Sequence, residues 1–233
     1  MSNVSRGSAF RLEHVSPMRR EFFGRDPRQL ASELLGKVLL RRHGRQWLAG
    51  RIVETEAYLG AGDSAAHAAA GRTSRNEVLF GPPGHAYVYF IYGNHWCLNV
   101  SCEPHGKAGC VLIRALEPLA GLRAMARARG LILNHARAGM AHNERLPKAM
   151  LKQLARGPGR LTQAFGVTRP RDNGKDLLAP TSDLQLVDDG WRPAQVVTTP
   201  RIGVSKSAGE LLRYVIAGCE YVSGSKQNNI VGR

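Results

Sequence analysis

Residues Tyr87–Cys102 read YVYFIYGNHWCLNVSC. Two runs rich in aromatic and β-branched residues, His85–Tyr92 and His95–Cys102, meet at Gly93-Asn94, a dipeptide suited to a hairpin tip. Downstream, Gly109–Glu117 (GCVLIRALE) has the apolar run of a buried strand. Upstream, Lys37–Arg42 and Gln46–Glu56 form two more strands, turning around His43-Gly44-Arg45. Helical spacing covers Arg28–Leu35, with Asp26 and Pro27 as N-cap and first-turn pair. It recurs over Leu119–Arg129, over Pro147–Arg156, and through Phe165 after the break at Gly157-Pro158-Gly159. Val187–Val222 reads as short strands with Pro and Gly turns, and Gly60–Arg75 as a long loop rich in Gly, Ala and Ser. Strands with irregularly placed helices and no βαβ alternation predict an α+β fold. The expected molecule is a single mixed domain over 21–233, with a mainly antiparallel curved sheet, peripheral helices and a protruding β-hairpin. A flexible basic leader is expected over 1–20.

The charge narrows the partner. The 233 residues carry 33 Lys and Arg against 18 Asp and Glu, a formal net charge of +15. Such a charge, carried mostly by Arg, points to a polyanion, because a guanidinium can donate two hydrogen bonds to one phosphate. Ribosome-associated and membrane-surface proteins share this composition, so charge by itself does not name nucleic acid. Lys148, Lys152 and Arg156 recur every four residues and Arg160 comes after them; Arg123 and Arg127 form a similar pair. These stripes either track phosphates or face solvent, and the Gly157–Gly159 break offers backbone N–H groups at a helix start. No apolar run is long enough to span a membrane and no secretory signal is evident, which predicts a cytoplasmic protein, nucleoid-associated if bacterial. Cys97, Cys102, Cys110 and Cys219 make no C-x-x-C pair and no zinc-like spacing with His, so reduced thiols without a metal or organic cofactor are expected.

The chemistry concentrates in Val53–Tyr58, VETEAY. Glu54, Glu56 and Tyr58 lie two apart on a strand and share one face. A carboxylate beside an aromatic ring suits a general base next to a flat substrate, and it equally suits a buried ion pair. Asn99 and Arg114 stand within apolar strands, and a buried Arg requires a carboxylate such as Glu54, Glu56 or Glu117. His67 falls in the Gly/Ala/Ser loop, as a substrate contact or as a structural hydrogen-bonding residue. Tyr87 reads as part of an ordinary aromatic sheet face. For Tyr92, at the hairpin tip, a wedge between base pairs and a plain turn aromatic both stand.

Together these blocks resemble the alkyladenine (3-methyladenine) DNA glycosylase family, the monofunctional class distinct from helix-hairpin-helix glycosylases. The resemblance is carried by VETEAYLG (Val53–Gly60), His67, GRTSRN (Gly71–Asn76), YVYFIYG (Tyr87–Gly93), Cys97 with Asn99, and LIRALEPLAG (Leu112–Gly121). GPGRL (Gly157–Leu161) and RIGV (Arg201–Val204) extend it to roughly Arg28–Val222. It implies a DNA-repair enzyme, a monomer on duplex DNA, that flips out alkylated or deaminated purines and hydrolyses the N-glycosidic bond without lyase activity. It places the water-activating base at Glu56, with Arg114 helping to hold the water. Tyr58, His67 and Tyr89 would sandwich the everted base, Asn99 would crowd the guanine amine, and Tyr92 would insert into the duplex. Leu79 would lie at the pocket wall and the main chain near Ile202 at the water. Glu54 is expected to be structural, paired with Arg114 or another buried cation. Cys102–Gly109, Asn94 and His95 depart from the family pattern, and Leu131–Leu146 matches no block.

Overall fold

Asp26 begins the first helix as its side chain predicts. Its Oδ1 accepts the Arg28 amide at 2.7 Å and Pro27 supplies the first turn of α1 (Pro27–Glu33). The computed structural model describes residues 10–91, 93–132 and 146–224. Tyr92 and residues 133–145 lie outside the described residues, as do residues 1–9 of the expected leader. The described part of that leader is attached to the domain. Ser16 and Pro17 (β1) pair with a strand at Val187–Asp188, Phe10 and Val15 pack on buried Val38 and Val187, and Arg20 donates to Asp176 at 2.6 Å.

β2 (Val38–His43) and β3 (Gln46–Tyr58) form the first hairpin; β4 (Ala86–Ile91) and β5 (His95–Cys102) form the second. β6 (Gly109–Ala120), β7 (Leu184–Asp188), β8 (Val196–Thr199) and β9 (Arg213–Ile216) complete a sheet of order β1-β7-β2-β3-β6-β5-β4. β9 pairs with β3 and β8 off that path, and every strand pairing among the described residues is antiparallel. Around the sheet stand α2 (Leu122–Ala128), α3 (Lys148–Leu154), α4 (Pro158–Phe165) and α5 (Arg169–Asp172). This is the expected α+β domain, with a large antiparallel sheet and helices on its periphery.

β3 is the structural centre because it is covered on both faces. Leu48 through Ala57 are all buried, including the polar and charged Arg51, Glu54, Thr55 and Glu56. α1 covers one side, and Thr55 Oγ1 donates to the Ala31 carbonyl at 2.8 Å. α4 also approaches so closely that a Cβ on Gly50 would stand 2.9 Å from Leu116 and 3.1 Å from Phe165. Leu30, Leu34, Ile52, Leu98, Val111, Ile113, Leu116 and Phe165 share the resulting core.

Two irregularities shape the end of β3 that carries Glu54, Glu56 and Tyr58. Its pairing with β6 slips between Ile52 and Thr55, leaving Val53 without a β6 partner, while Glu54–Glu56 also pair with Val215–Arg213 of β9. Such bulges re-aim side chains beside functional sites. After Tyr58 the chain reverses at Gly60, whose φ is +82° and where a Cβ would fall 1.9 Å from the Ala108 carbonyl oxygen. Only glycine accommodates both that dihedral and that approach. Far from this end, Arg41 is buried with Asp172 and Asp183, and Lys175 bonds both carboxylates.

Candidate active site

The face shared by Glu54, Glu56 and Tyr58 holds the buried arginine that the apolar context of Arg114 requires. Arg114 Nε lies 2.9 Å from Glu54 Oε1, and its Nη1 lies 3.2 Å from Glu56 Oε2. Burial opposes the charge on Arg114, but Glu56 and Glu54 more than offset it and raise its pKa.

The two carboxylates differ in their remaining partners. Glu54 Oε1 accepts Arg114 Nε at 2.9 Å, Arg213 Nε at 2.7 Å and Ser223 Oγ at 2.9 Å, while Oε2 accepts the Ser223 amide at 2.7 Å. Four donors therefore converge on Glu54, three of them on Oε1. Burial works against its charge, yet Arg114, Arg213 and the Ser223 amide hold its carboxyl below the usual range. Glu56 Oε1 accepts the Ile202 amide at 2.8 Å, and Oε2 accepts the Tyr58 hydroxyl at 3.0 Å beside Arg114. That makes three donors among the described residues, against four on Glu54.

Beside this carboxylate opens a cavity of about 780 Å³. Tyr58, His67, Leu79, Tyr89, Asn99, Arg114 and Ile202, seven of the residues that the sequence singles out, all line it. Glu56 is fully buried and stands directly behind three of them, Tyr58, Arg114 and Ile202. His67 and Tyr89 meet edge to face with ring centroids 4.4 Å apart. Burial and then Glu56 push the Tyr58 phenol far above its usual pKa, so it remains an O–H donor; burial does the same to Tyr89. Asn99 is fixed by donating Nδ2 to the Tyr87 carbonyl at 3.1 Å, with the Cys110 thiol on its Oδ1.

Tyr87 is more than a sheet-face aromatic. Its hydroxyl lies 2.8 Å from His67 Nδ1, and its ring also lines the cavity. Burial pushes the Tyr87 phenol up to about 12. Burial and the Arg75 guanidinium hold the His67 pKa below its ordinary value, which favours a neutral ring at the rim. Alternation along β4 could have signalled Tyr87, since it shares its face with Tyr89.

The basic stripe divides. Lys148 and Lys152 both bind the Glu220 carboxylate, and Arg156 donates to the carbonyls of Val222 and Gly224. The stripe thus holds the C-terminal segment in place rather than standing free. Arg75, Arg156, Arg160 and Lys206 border the cavity and give it a cationic rim. α4 comes up against the hairpin there, and a Cβ on Gly159 would stand 2.7 Å from the His95 ring. The free cysteines Cys97, Cys102 and Cys110 are buried.

An aromatic-walled cavity with a cationic rim and a buried carboxylate behind its wall defines an enzyme-like site for a flat ring carried by a polyanion. Residues 21–220 match the family described as Methylpurine-DNA glycosylase (MPG). A relative from Koribacter versatilis, named "Putative 3-methyladenine DNA glycosylase", is 58% identical over 215 residues, spanning 92% of this chain and 97% of its own. Relatives of the same name from Burkholderia cenocepacia and Chlorobaculum tepidum are 45% and 44% identical, spanning 88% and 83% of this chain and 90% and 84% of their own. The chain belongs to the methylpurine-DNA glycosylase family, and is thereby an N-glycosylase of DNA repair. Among the described residues no helix is long and apolar enough to cross a membrane.

Proposed function

We propose that the enzyme takes an alkylated or deaminated purine out of duplex DNA into this cavity and hydrolyses its N-glycosidic bond, leaving an abasic site. The observation that carries the reading is the unequal coordination of two neighbouring carboxylates. Glu54 takes four donors and faces two guanidiniums, whereas Glu56 takes three donors and adjoins the cavity through Tyr58, Arg114 and Ile202. Glu56 accepts a proton from the attacking water, which adds to the deoxyribose C1′ as the purine departs with the bonding electron pair. Arg114, ion-paired with Glu56 at 3.2 Å, borders the water. A purine alkylated at N3 or N7 is already cationic and leaves readily, so one positioned carboxylate suffices.

Tyr58, His67 and Tyr89 stack on the everted base, Leu79 closes the wall, and Asn99 crowds the exocyclic amine of guanine. Stacking on aromatic faces favours a cationic base by about 0.5–2 kcal/mol. A mispaired or damaged base costs less to extrude than a sound one, which adds selectivity. Tyr92 fills the gap left in the duplex. The enzyme works as a monomer, in the cytoplasm, without a lyase step.

A single-turnover assay on duplexes carrying hypoxanthine, 1,N6-ethenoadenine or 3-methyladenine tests this. Base release is expected from at least one, yielding an intact abasic strand. Glu56→Gln should cut the rate by about 10²–10⁴-fold, the usual weight of a general base, with duplex binding retained. Release from none of the three, or undiminished release by Glu56→Gln, refutes the reading.

A further inference from the structure

Behind the cavity lies a buried ion pair whose purpose stability does not explain. Asp63, in the turn after β3, and Arg201, just after β8, face each other with both side chains fully buried. Arg201 Nη1 donates to Asp63 Oδ2 at 2.5 Å and Nη2 to Oδ1 at 2.9 Å, a two-pronged pair. Nη1 also donates to the Ala57 carbonyl at 3.0 Å, the backbone oxygen between Glu56 and Tyr58. Arg201 Cζ lies 4.7 Å from the centroid of the Tyr58 ring. The Asp63 carboxylate in turn accepts the amides of Leu59 at 3.2 Å and Ala65 at 3.0 Å. The residue after Arg201 is Ile202, whose amide is bonded to Glu56 Oε1 at 2.8 Å.

Buried ion pairs contribute little net stability, because desolvation of both charges offsets their attraction. The worth of this one lies in what it orients. Three chain segments, the end of β3, the turn over 59–65 and the 199–202 stretch, converge on one guanidinium. Two of its attachments are one peptide away from Glu56: the Ala57 carbonyl, and Ile202 through the chain itself.

We propose that Asp63 and Arg201 form a positioning pair for base excision, locking the Tyr58 ring and the Ile202 amide in register with the Glu56 carboxylate. The proposal rests on the reading of Glu56 as the base. Neither residue lines the cavity, and both are positioning rather than catalytic residues. Arg201 acts through Tyr58 and Ile202, and Asp63 acts through Arg201. Loss of the pair should therefore slow the chemical step without weakening capture of the duplex.

The test uses the full chain and whichever of the three lesion duplexes it excises fastest, at saturating enzyme. Asp63→Asn and Arg201→Lys are compared with Asp63→Glu, at a temperature where denaturation curves show each variant folded. The first two should lower the base-release rate constant by about 10–100-fold, as a displacement near 1 Å does, while the duplex Kd changes by no more than about threefold. Asp63→Glu should recover part of the loss, and the double variant Asp63→Asn/Arg201→Lys should be no slower than the slower single, as for residues acting as one unit. If the folded variants excise at the parental rate, or lose only affinity, the positioning role is overturned. If Asp63→Asn does not fold, Arg201→Lys decides alone, since it keeps the buried charge but not the fork. A Glu56→Gln control separates the two ideas: its inactivity beside fully active pair variants overturns only the positioning role, whereas undiminished release by Glu56→Gln removes the base assignment and this proposal with it.

Discussion

Replacing Glu54 by Gln should damage stability far more than its isosteric shape suggests. The wild-type carboxylate faces two buried guanidiniums, Arg114 and Arg213, and accepts four hydrogen bonds. An amide has one carbonyl oxygen. If that oxygen takes the Oε1 position and its three donors, the NH₂ group is left facing the Ser223 amide, donor against donor. The reverse orientation aims the NH₂ at two guanidiniums and a hydroxyl, which is worse. Either way Arg114 and Arg213 both lose a buried carboxylate partner. Breaking a buried pair by removing one partner costs about 3–5 kcal/mol. At roughly 2–4 °C per kcal/mol for a domain of this size, the melting temperature should fall by about 6–20 °C. Differential scanning calorimetry at pH 7 reads this directly. Because the Glu54 carboxyl is held below its ordinary value in the fold, its stabilisation is complete above the unfolded-state value and is lost as pH falls through the folded one. The variant should therefore also show a flatter loss of stability on acidification. A Glu54→Gln protein melting within about 2 °C of the parent, a shift worth about 1 kcal/mol or less, would refute the four-donor argument.

Acid should also loosen the distant charge cluster. Asp183, bound by Lys175, Arg171 and Arg41, has its pKa lowered because those partners outweigh burial. Its contribution is present above the unfolded carboxylate value near 3.8 and is lost below it, so Asp183→Asn should flatten the decline in melting temperature between about pH 5 and pH 2. Duplex affinity should fall steeply with salt through the cationic rim. Each phosphate contact removed, as by Lys206→Ala, should reduce the log–log salt slope by about 0.9 in a fluorescence-anisotropy titration, and an unchanged slope would take Lys206 off the DNA.

Much of the fold was legible because its signals are local. Asp26-Pro27 starts α1, Gly93-Asn94 turns the β4–β5 hairpin, and Gly157-Pro158 opens α4. The apolar run at Gly109–Glu117 announced a buried strand, and β6 is buried there through Leu116. What was not legible involves partners far apart in the chain. Asp63 and Arg201 are 138 residues apart, and Glu54 and Ser223 are 169 apart; no spacing rule links such positions. The basic stripe on α3 misled for the same reason. Its four-residue repeat marks one helix face, but whether that face meets phosphate or Glu220 depends on where the C-terminal segment returns.

The two glutamates show where geometry supplies what periodicity lacks. Alternation put Glu54 and Glu56 on one face and made them equivalent, and a resemblance was needed to prefer Glu56. Their donor sets now give an independent reason. β9 and the segment at Ser223 arrive on the Glu54 side and bring Arg213, an amide and a hydroxyl, while Arg114 of β6 is shared with Glu56. The Glu56 side receives one amide, from Ile202, and a hydroxyl that belongs to the cavity wall. A base must retain an acceptor for the proton it takes, and a scaffold carboxylate must not leave one unmet in a dry interior. The same bulged strand therefore produces both roles. Two residues of sequence separation decide which carboxylate meets the returning C-terminal segment and which meets the cavity.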